Sequence, residues 1–365
     1  MSFRLIALLA LLLVLPPGPL GAQDAFDGVT RIVAIGDLHG DFDRCVAVLR
    51  AAGVVDRRNR WAGGSLHLVQ TGDVLDRGPH SRKVLDLLMS LEKQARKAGG
   101  RVHALIGNHE AMNLGGDLRY VSEGEYAAFR SRNSEELRAR AFELLADPAS
   151  KEDPAYRARW EAEHPLGWVE HRQAFGPKGT YGKWLRERNA IVRINGIVFL
   201  HGGLSPKFGT LTIPEINQRV RQELAGTNLP EGGLSVDEDG PLWYRGLATL
   251  PEVELREHVD RLLSLHKARH IVVGHTIVAP AIVPRLNGRV VAIDVGLSAL
   301  YKGPPAALIV EGDRLFALHR GQRLALPQDG AVRAYLEEAA RLDPQPSPIL
   351  EVIDKVAPVA EPVLR

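Results

Sequence analysis

The sequence predicts an α/β domain, and three features carry the prediction. Short runs rich in Val, Ile and Leu recur at strand length, and each ends abruptly in Gly, Asp, Asn or His. Several are separated by stretches with apolar residues at three- and four-residue spacing, the mark of helices packed on a sheet. The 365-residue chain, 45% hydrophobic and 25% charged, can bury a core as one large domain or two small ones. That composition excludes disorder and collagen-like repeats, and a single cysteine, Cys45, excludes a disulfide-stapled mini-fold. Lys and Arg number 46 against 44 Asp and Glu, a formal charge of +2, so bulk electrostatics predict neither nucleic acid nor an acidic membrane as partner. Any recognition of phosphate has to be local.

In chain order, residues 1–22 read as a secretory signal: Arg4 in a short basic start, an apolar run over residues 5–15, then Pro16, Pro17, Gly18 and a small-residue exit that places cleavage after Ala22. The run is well short of the ~20 residues a membrane span needs, and no cysteine follows it to carry a lipid. The mature chain is therefore expected to be exported, periplasmic or secreted, with no stable membrane insertion. Residues 31–35, 66–70, 102–106, 197–200, 270–273 and 290–293 are the strand-like runs. Residues 42–52, 81–98 and 252–267 are helix-like, and Cys45 falls inside the first of these as a core residue. Residues 306–310 and 315–319, around Glu311-Gly312-Asp313, predict an antiparallel pair. Residues 117–188, charged with both signs and amphipathic, read as a helical insertion, either a solvated cap or a substrate-facing lid. A catalytic domain is expected over residues 23–325. Residues 326–365 are expected to form a short helix at 332–341 and a Pro-rich tail, peripheral or partly disordered.

The residue types that ligate metals sit directly after the apolar runs. Gly36-Asp37-Leu38-His39-Gly40 comes first, then Gly72-Asp73-Val74-Leu75-Asp76-Arg77-Gly78, Gly107-Asn108-His109-Glu110, His201-Gly202-Gly203 and Gly274-His275-Thr276. In open α/β sheets ligands bind beyond the carboxyl ends of strands, so these ends would converge on one crevice. Asp37, His39, Asp73, Asn108, His201 and His275 supply six donors, more than one catalytic ion with open positions needs, so two ions sharing a carboxylate fit better. Oxygen and imidazole donors without thiolate favour manganese, iron or zinc. A pair of such ions about 3.5–4 Å apart suits in-line displacement at phosphorus.

These motifs resemble those of the phosphoprotein phosphatase branch of the calcineurin-like metallophosphoesterases: GDxHG, GDxVDRG, GNHE and a later HGG, with Leu75 replacing the usual Val. Residues 107–121, GNHEAMNLGGDLRYV, and residues 241–246, PLWYRG, are similar to the Shewanella-like protein phosphatases of that branch. The resemblance covers about residues 31–320 and implies an αββα sandwich, two packed mixed sheets flanked by helices. It further implies that Asp37 and His39 hold one metal, Asp73 bridges, and Asn108, His201 and His275 hold the other. His109 would be the general acid oriented by Asp76, while Arg77, Arg245 and Asn108 would contact the phosphate. Val273-Gly274-His275 stands where eukaryotic serine/threonine phosphatases have Arg-Ala-His, a departure toward the bacterial branch.

Taken singly, each of these residues has a bland reading as a turn residue or surface ion pair; their order at successive strand ends is what points to a site. Asp294 reads as a residue orienting a ligand imidazole, or as a strand-end turn. Tyr301 reads first as a surface tyrosine and second, by the resemblance, as an aromatic presented to the substrate; Trp243 and Tyr244 read first as packing beneath Arg245 and second as lining the cleft. His67, His80, His103, His164, His171, His266 and His270 read as structural, and His319 is unassigned. The function implied is a dinuclear phosphatase, manganese first and iron or zinc as alternatives, hydrolysing phosphomonoesters by direct attack of metal-bound hydroxide. Its partner would be a phosphorylated protein or peptide on Ser, Thr or Tyr. The alternatives are a small phosphoester or dinucleoside polyphosphate substrate, or a non-catalytic metal- or phosphate-binding module, which would have lost a ligand or acid residue.

Overall fold

The computed structural model describes residues 23–357; the leader reading over residues 1–22 and the end of the Pro-rich tail, 358–365, lie outside the described residues. The strands are β1 (Ala25–Phe26), β2 (Arg31–Ile35), β3 (His67–Gln70), β4 (Arg101–Ala104), β5 (Ile191–Ile194) and β6 (Ile197–Leu200). They continue with β7 (His270–Val273), β8 (Val283–Arg285), β9 (Val290–Ala292), β10 (Ala306–Glu311), β11 (Arg314–His319) and β12 (Gln322–Ala325). One six-stranded sheet runs β12-β11-β10-β2-β3-β4 and the other β1-β5-β6-β7-β9-β8. Both are mixed: β2-β3-β4 and β6-β7-β9 are parallel, whereas β10 pairs antiparallel with β2 and β11.

Parallel neighbours need a crossover, and the sequence supplies amphipathic helices for it. Phe42–Ala51 connects β2 to β3 and is started by Asp41, whose carboxylate accepts the Arg44 amide at 3.0 Å. Ser81–Lys97 connects β3 to β4 and buries Val84, Leu85, Leu88 and Leu91. Every residue of β3 and β6 is buried, and the uninterrupted apolar run of β6 fits a sheet covered on both faces. Parallel pairing of β2, β3 and β4, and of β6, β7 and β9, brings the carboxyl ends of each set to one edge. The metal-ligand motifs begin there.

Cys45 is buried as expected, its thiol pushed up to about 12 by burial. Residues 123–186 hold five helices, of which Phe142 and Trp160 form a small separate core with Ala141 and Ala146. The C-terminal segment differs from the expected peripheral tail. Beyond Val332–Arg341 a second helix, Ile349–Val356, follows, and Leu336, Ala339, Ile349 and Ile353 join the main core. The Pro-rich spacing suggested a loose end, but apolar residues at helical spacing on both sides of Pro346 and Pro348 outweigh it. Among the described residues no helix is long and apolar enough to cross a membrane.

Candidate active site

Six strand-end segments meet at one cleft of about 320 Å³. Of the ten residues singled out by the sequence, Asp37, His39, Asp73, Arg77, Asn108, His109, Arg245 and His275 line it, and the fully buried Asp76 and His201 lie directly behind. The close approach depends on glycine. A Cβ on Gly72 would sit 2.6 Å from the Gly107 nitrogen, and one on Gly274 only 2.7 Å from Asp37 Oδ1. His39, Asp73, Asp76, Arg77 and His275 all take left-handed backbone, with φ of 43°, 56°, 69°, 67° and 63°. Each such residue costs on the order of 1–3 kcal/mol and persists only where its surroundings fix it.

Glu110 does much of that fixing, and it was not singled out by the sequence. Its carboxylate accepts the amides of Asp73 (2.8 Å), Val74 (2.9 Å), Leu75 (3.2 Å) and Gly107 (2.8 Å). Burial and the Asp73 charge push it up to about 7. The capping pattern was legible: Glu110 stands three residues after Gly107, the cap of the helix Asn108–Gly115. Asp73 Oδ1 in turn accepts the His109 amide at 3.1 Å, in the first turn of that helix.

The imidazoles show which atoms are free to ligate. His39 Nδ1 lies 3.0 Å from the Leu75 carbonyl, His201 Nδ1 3.0 Å from the Thr71 carbonyl, and His275 Nε2 3.0 Å from the Trp243 carbonyl. A carbonyl only accepts, so each of these nitrogens carries the proton and the opposite nitrogen keeps its lone pair, the arrangement of metal-ligating histidines. Burial holds His39 down to about 4 and His275 down as well, which keeps both neutral. The free atoms converge: His201 Nε2 is 3.2 Å from Asp73 Oδ1, 2.9 Å from Asn108 Oδ1 and 3.1 Å from His275 Nδ1. Asp73, His201 and His275 form one group with donor atoms within 4.8 Å of one another, and His39, Asp73 and His109 a second.

Burial works against the Asp73 carboxylate, yet His201, His109 and His39 hold it well below the usual range. Asp37, by contrast, is raised by burial and by the charges of Asp294 and Asp73. Crowded carboxylates beside neutral imidazoles are an environment that divalent cations fit. Asp37 Oδ2 lies 4.0 Å from His39 Nε2, and its Oδ1 accepts the His275 amide at 3.0 Å. Asp294 bonds Asp37 and the Gly296 amide rather than an imidazole, so it supports a carboxylate and not a histidine.

His109 differs from the other three because its Nδ1 meets a carboxylate, Asp76 Oδ2, at 2.5 Å. Asp76 is itself fixed by Asn113, which donates to Oδ1 at 2.8 Å. Burial disfavours charge on His109, but Asp73 and Asp76 outweigh it and raise its pKa. A cationic imidazole is an acid and not a ligand. The same geometry that groups His109 with His39 and Asp73 therefore sets it apart chemically.

The walls carry two arginines. Arg245 donates to the His275 carbonyl at 2.7 Å and the Thr276 hydroxyl at 3.1 Å. Arg77 has its guanidinium 4.8 Å from the Tyr120 ring and 5.5 Å from the Tyr301 ring, and its buried Nε has no protein partner. Tyr301, read from sequence as an ordinary surface residue, lies 5.7 Å from the His39 ring, and Tyr120 lies 5.2 Å from His109. Tyr120 closes the GNHE-led stretch, but nothing in its spacing says that it turns back over His109. Trp243 lines the cleft while its indole donates to Ser235, so it both packs and faces substrate space.

Residues 30–279 match the model of the calcineurin-like phosphoesterases. The chain belongs to that family. This calcineurin-like phosphoesterase is a hydrolase of phosphoric esters, and the family implies divalent metal ions, for which the two donor groups are suited. It is 36% identical over 313 residues to an uncharacterized protein of Schizosaccharomyces pombe, covering 81% of this chain and 83% of that one. It is 32% identical to Shewanella-like protein phosphatase 2 of Arabidopsis thaliana, covering 80% and 78%. The crystal structure of a cold-active protein-tyrosine phosphatase from a psychrophilic Shewanella superposes with a TM-score of 0.64 at 30% identity, over 83% of this chain and 82% of that one. The two mixed sheets flanked by helices are thus the metallophosphoesterase fold.

Proposed function

We propose that this phosphoesterase is a manganese-dependent phosphatase of exported phosphoproteins or phosphopeptides, with phosphotyrosine preferred over phosphoserine. The observation that carries the reading is the placement of Arg77 between Tyr120 and Tyr301 in the cleft that His109 also lines. An arginine whose Nε is unpartnered suits a phosphoryl group, and two flanking rings suit an aromatic leaving group. The likeness to a protein-tyrosine phosphatase supports the same substrate class.

In this reading Asp37, His39, Asp73, Asn108, His201 and His275 would hold two divalent ions. Such ions, when bound, would supply Lewis-acid charge and a nucleophile at neutral pH. The protein's own groups do the rest. Arg77 and Arg245 bind the phosphoryl oxygens and hold them in line. His109 Nε2–H delivers its proton to the departing oxygen, while Asp76 accepts the Nδ1–H and keeps the ring oriented and charged. Asn113 stops Asp76 from turning away.

The test is hydrolysis by the mature chain, stripped of metal and reloaded with manganese. Phosphate release from para-nitrophenyl phosphate, and faster release from phosphotyrosine than from phosphoserine peptides, is expected. Equal or reversed peptide rates overturn the tyrosine preference. Activity confined to a dinucleoside polyphosphate moves the substrate to the nucleotide class. Export is read from the leader, and a mature N-terminus at Gln23 in a secreted or periplasmic fraction is the outcome it requires.

A further inference from the structure

Two buried titratable residues of the helical insertion have no part in the chemistry above. Glu125 lies on the helix Glu123–Ala128 and His171 on Trp168–Phe175, and both are 0% exposed. Glu125 Oε2 accepts the Ser81 hydroxyl at 2.8 Å. Its Oε1 has no hydrogen-bond partner and stands 3.6 Å from His171 Nε2, and both ring nitrogens of His171 are unpartnered too. The rings of Tyr126, Phe129 and Phe175 enclose the imidazole. Burial, with the Asp76 charge behind it, pushes Glu125 up to about 8, and burial takes His171 down to about 3. At neutral pH both groups are therefore uncharged. Glu125 Oε1 and His171 Nε2, both without other partners, thus face each other across 3.6 Å.

The place of this pair in the fold gives it a use. The Asp76 amide faces the Glu125 carboxyl. Next to it the Arg77 amide donates to the Tyr120 carbonyl at 2.9 Å, and the Gly78 carbonyl accepts the Ser122 hydroxyl at 3.1 Å. Three residues at the start of the insertion thus grip the left-handed turn that carries Asp76 and Arg77. Of the three, only Glu125 reaches from that turn back to the core helix Ser81–Lys97 and forward to a second insertion helix.

We propose that Glu125, held between Ser81 and His171, is a positioning residue that acts through Asp76 to keep His109 aligned as the acid, which makes the helical insertion part of the proton-transfer apparatus. The proposal rests on the phosphatase reading, in which His109 protonates the leaving oxygen. It also decides between cap and lid, since an insertion anchored in this way supports the site from behind instead of merely covering it.

Leaving-group dependence tests it, because a general acid matters more as the leaving oxygen becomes more basic. The manganese-loaded chain, Glu125→Gln and Glu125→Leu are compared by kcat on para-nitrophenyl phosphate and on phenyl phosphate. Glutamine keeps an acceptor for Ser81 and a donor toward His171, so Glu125→Gln is expected to keep the parent ratio. Glu125→Leu is expected to stay within about twofold on the nitrophenyl ester and to lose about tenfold or more on the phenyl ester, with metal content unchanged. Equal losses on both esters, no loss on either, or a glutamine variant as damaged as the leucine one overturns the proposal. Should Glu125→Leu not fold, Ser81→Ala removes only the hydroxyl and is expected to shift the ratio by about threefold, the value of one ordinary hydrogen bond; an unchanged ratio overturns the proposal. A parent chain inactive on both esters overturns the phosphatase reading itself.

Discussion

The sheet built around β2 and the sheet built around β7 meet at the same cleft but equip it differently. The first supplies Asp37, His39, Asp73, Asp76, Asn108 and His109 from the ends of β2, β3 and β4, and with them the carboxylate shared by both donor groups and the proposed acid. The second supplies His201 and His275 from the ends of β6 and β7, together with Asp294 beyond β9. Its two imidazoles are tied to backbone carbonyls, and burial lowers the pKa of His275, whereas the first sheet's His109 is tied to Asp76 and is driven toward its charged form. In the proposed reading the same residue type serves as a metal donor or a proton donor according to whether its partner is a carbonyl or a carboxylate.

Asp73 belongs to both donor groups, so its loss should erase the difference between the sheets. Asp73→Asn is expected to lose both metal equivalents and to lower turnover beyond roughly 10⁴-fold, more than loss of an acid alone. Full metal content in that variant would show that no carboxylate is shared. His109→Asn touches only the proton donor; turnover on phosphotyrosine should fall roughly 10²–10⁴-fold with metal content intact, and a variant as active as the parent removes the acid assignment. His275→Ala acts on the second sheet alone and should cost one metal equivalent of two, read by elemental analysis. Arg245→Ala should raise KM about tenfold, the value of a charge-assisted hydrogen bond to phosphate, with kcat little changed; an unmoved KM places Arg245 outside the binding step.

The smallest effect concerns the far end of the chain. His319 Nε2 donates to Asp343 Oδ1 at 3.0 Å, and both residues are buried. Burial opposes the Asp343 carboxylate, but hydrogen bonds from Arg320, Ser347 and His319 hold it below its ordinary value, while burial lowers His319. Both shifts mean that the unfolded chain takes up protons first. Stability should therefore begin to fall as pH drops below about 6.5 and fall further below about 3.9. Amide hydrogen exchange should show the helix Val332–Arg341 opening before the strands; simultaneous opening would mean that the tail is not a separate unit.

Much of this was legible because motif and strand end coincide. Runs such as Arg31–Ile35 and His270–Val273 are continuous Val/Ile segments stopped by Gly-Asp or Gly-His, and the structure places them at the bounds the pattern suggests. The strands β1, β5, β8 and β12 escaped because β1 has two residues and the others are broken by Arg193, Pro284 with Arg285, and Gln322 with Arg323. Within the site, the ten residues flagged by motif converge, but Tyr120 did not stand out and Tyr301 was weighed with the surface reading preferred. Their place in the cleft depends on loops folding back over His109 and His39, and local spacing does not encode that. Glu125 and His171 escaped for a related reason: each is unexceptional on its own helix, and only the packing of the insertion brings them within 3.6 Å.

The tail has a consequence for how the molecule behaves in a crowd. β12 and β8 each end a sheet, and a terminal strand offers unpaired amides and carbonyls to any similar strand that drifts by. The helix Val332–Arg341 packs against β12, and its Tyr335 hydroxyl donates to the Ile282 carbonyl at 2.9 Å, one residue before β8. The same helix thus guards the rim of both sheets at once. Its removal would uncover core beneath Leu336 and Ala339 along with the two rims, through which copies could zip together.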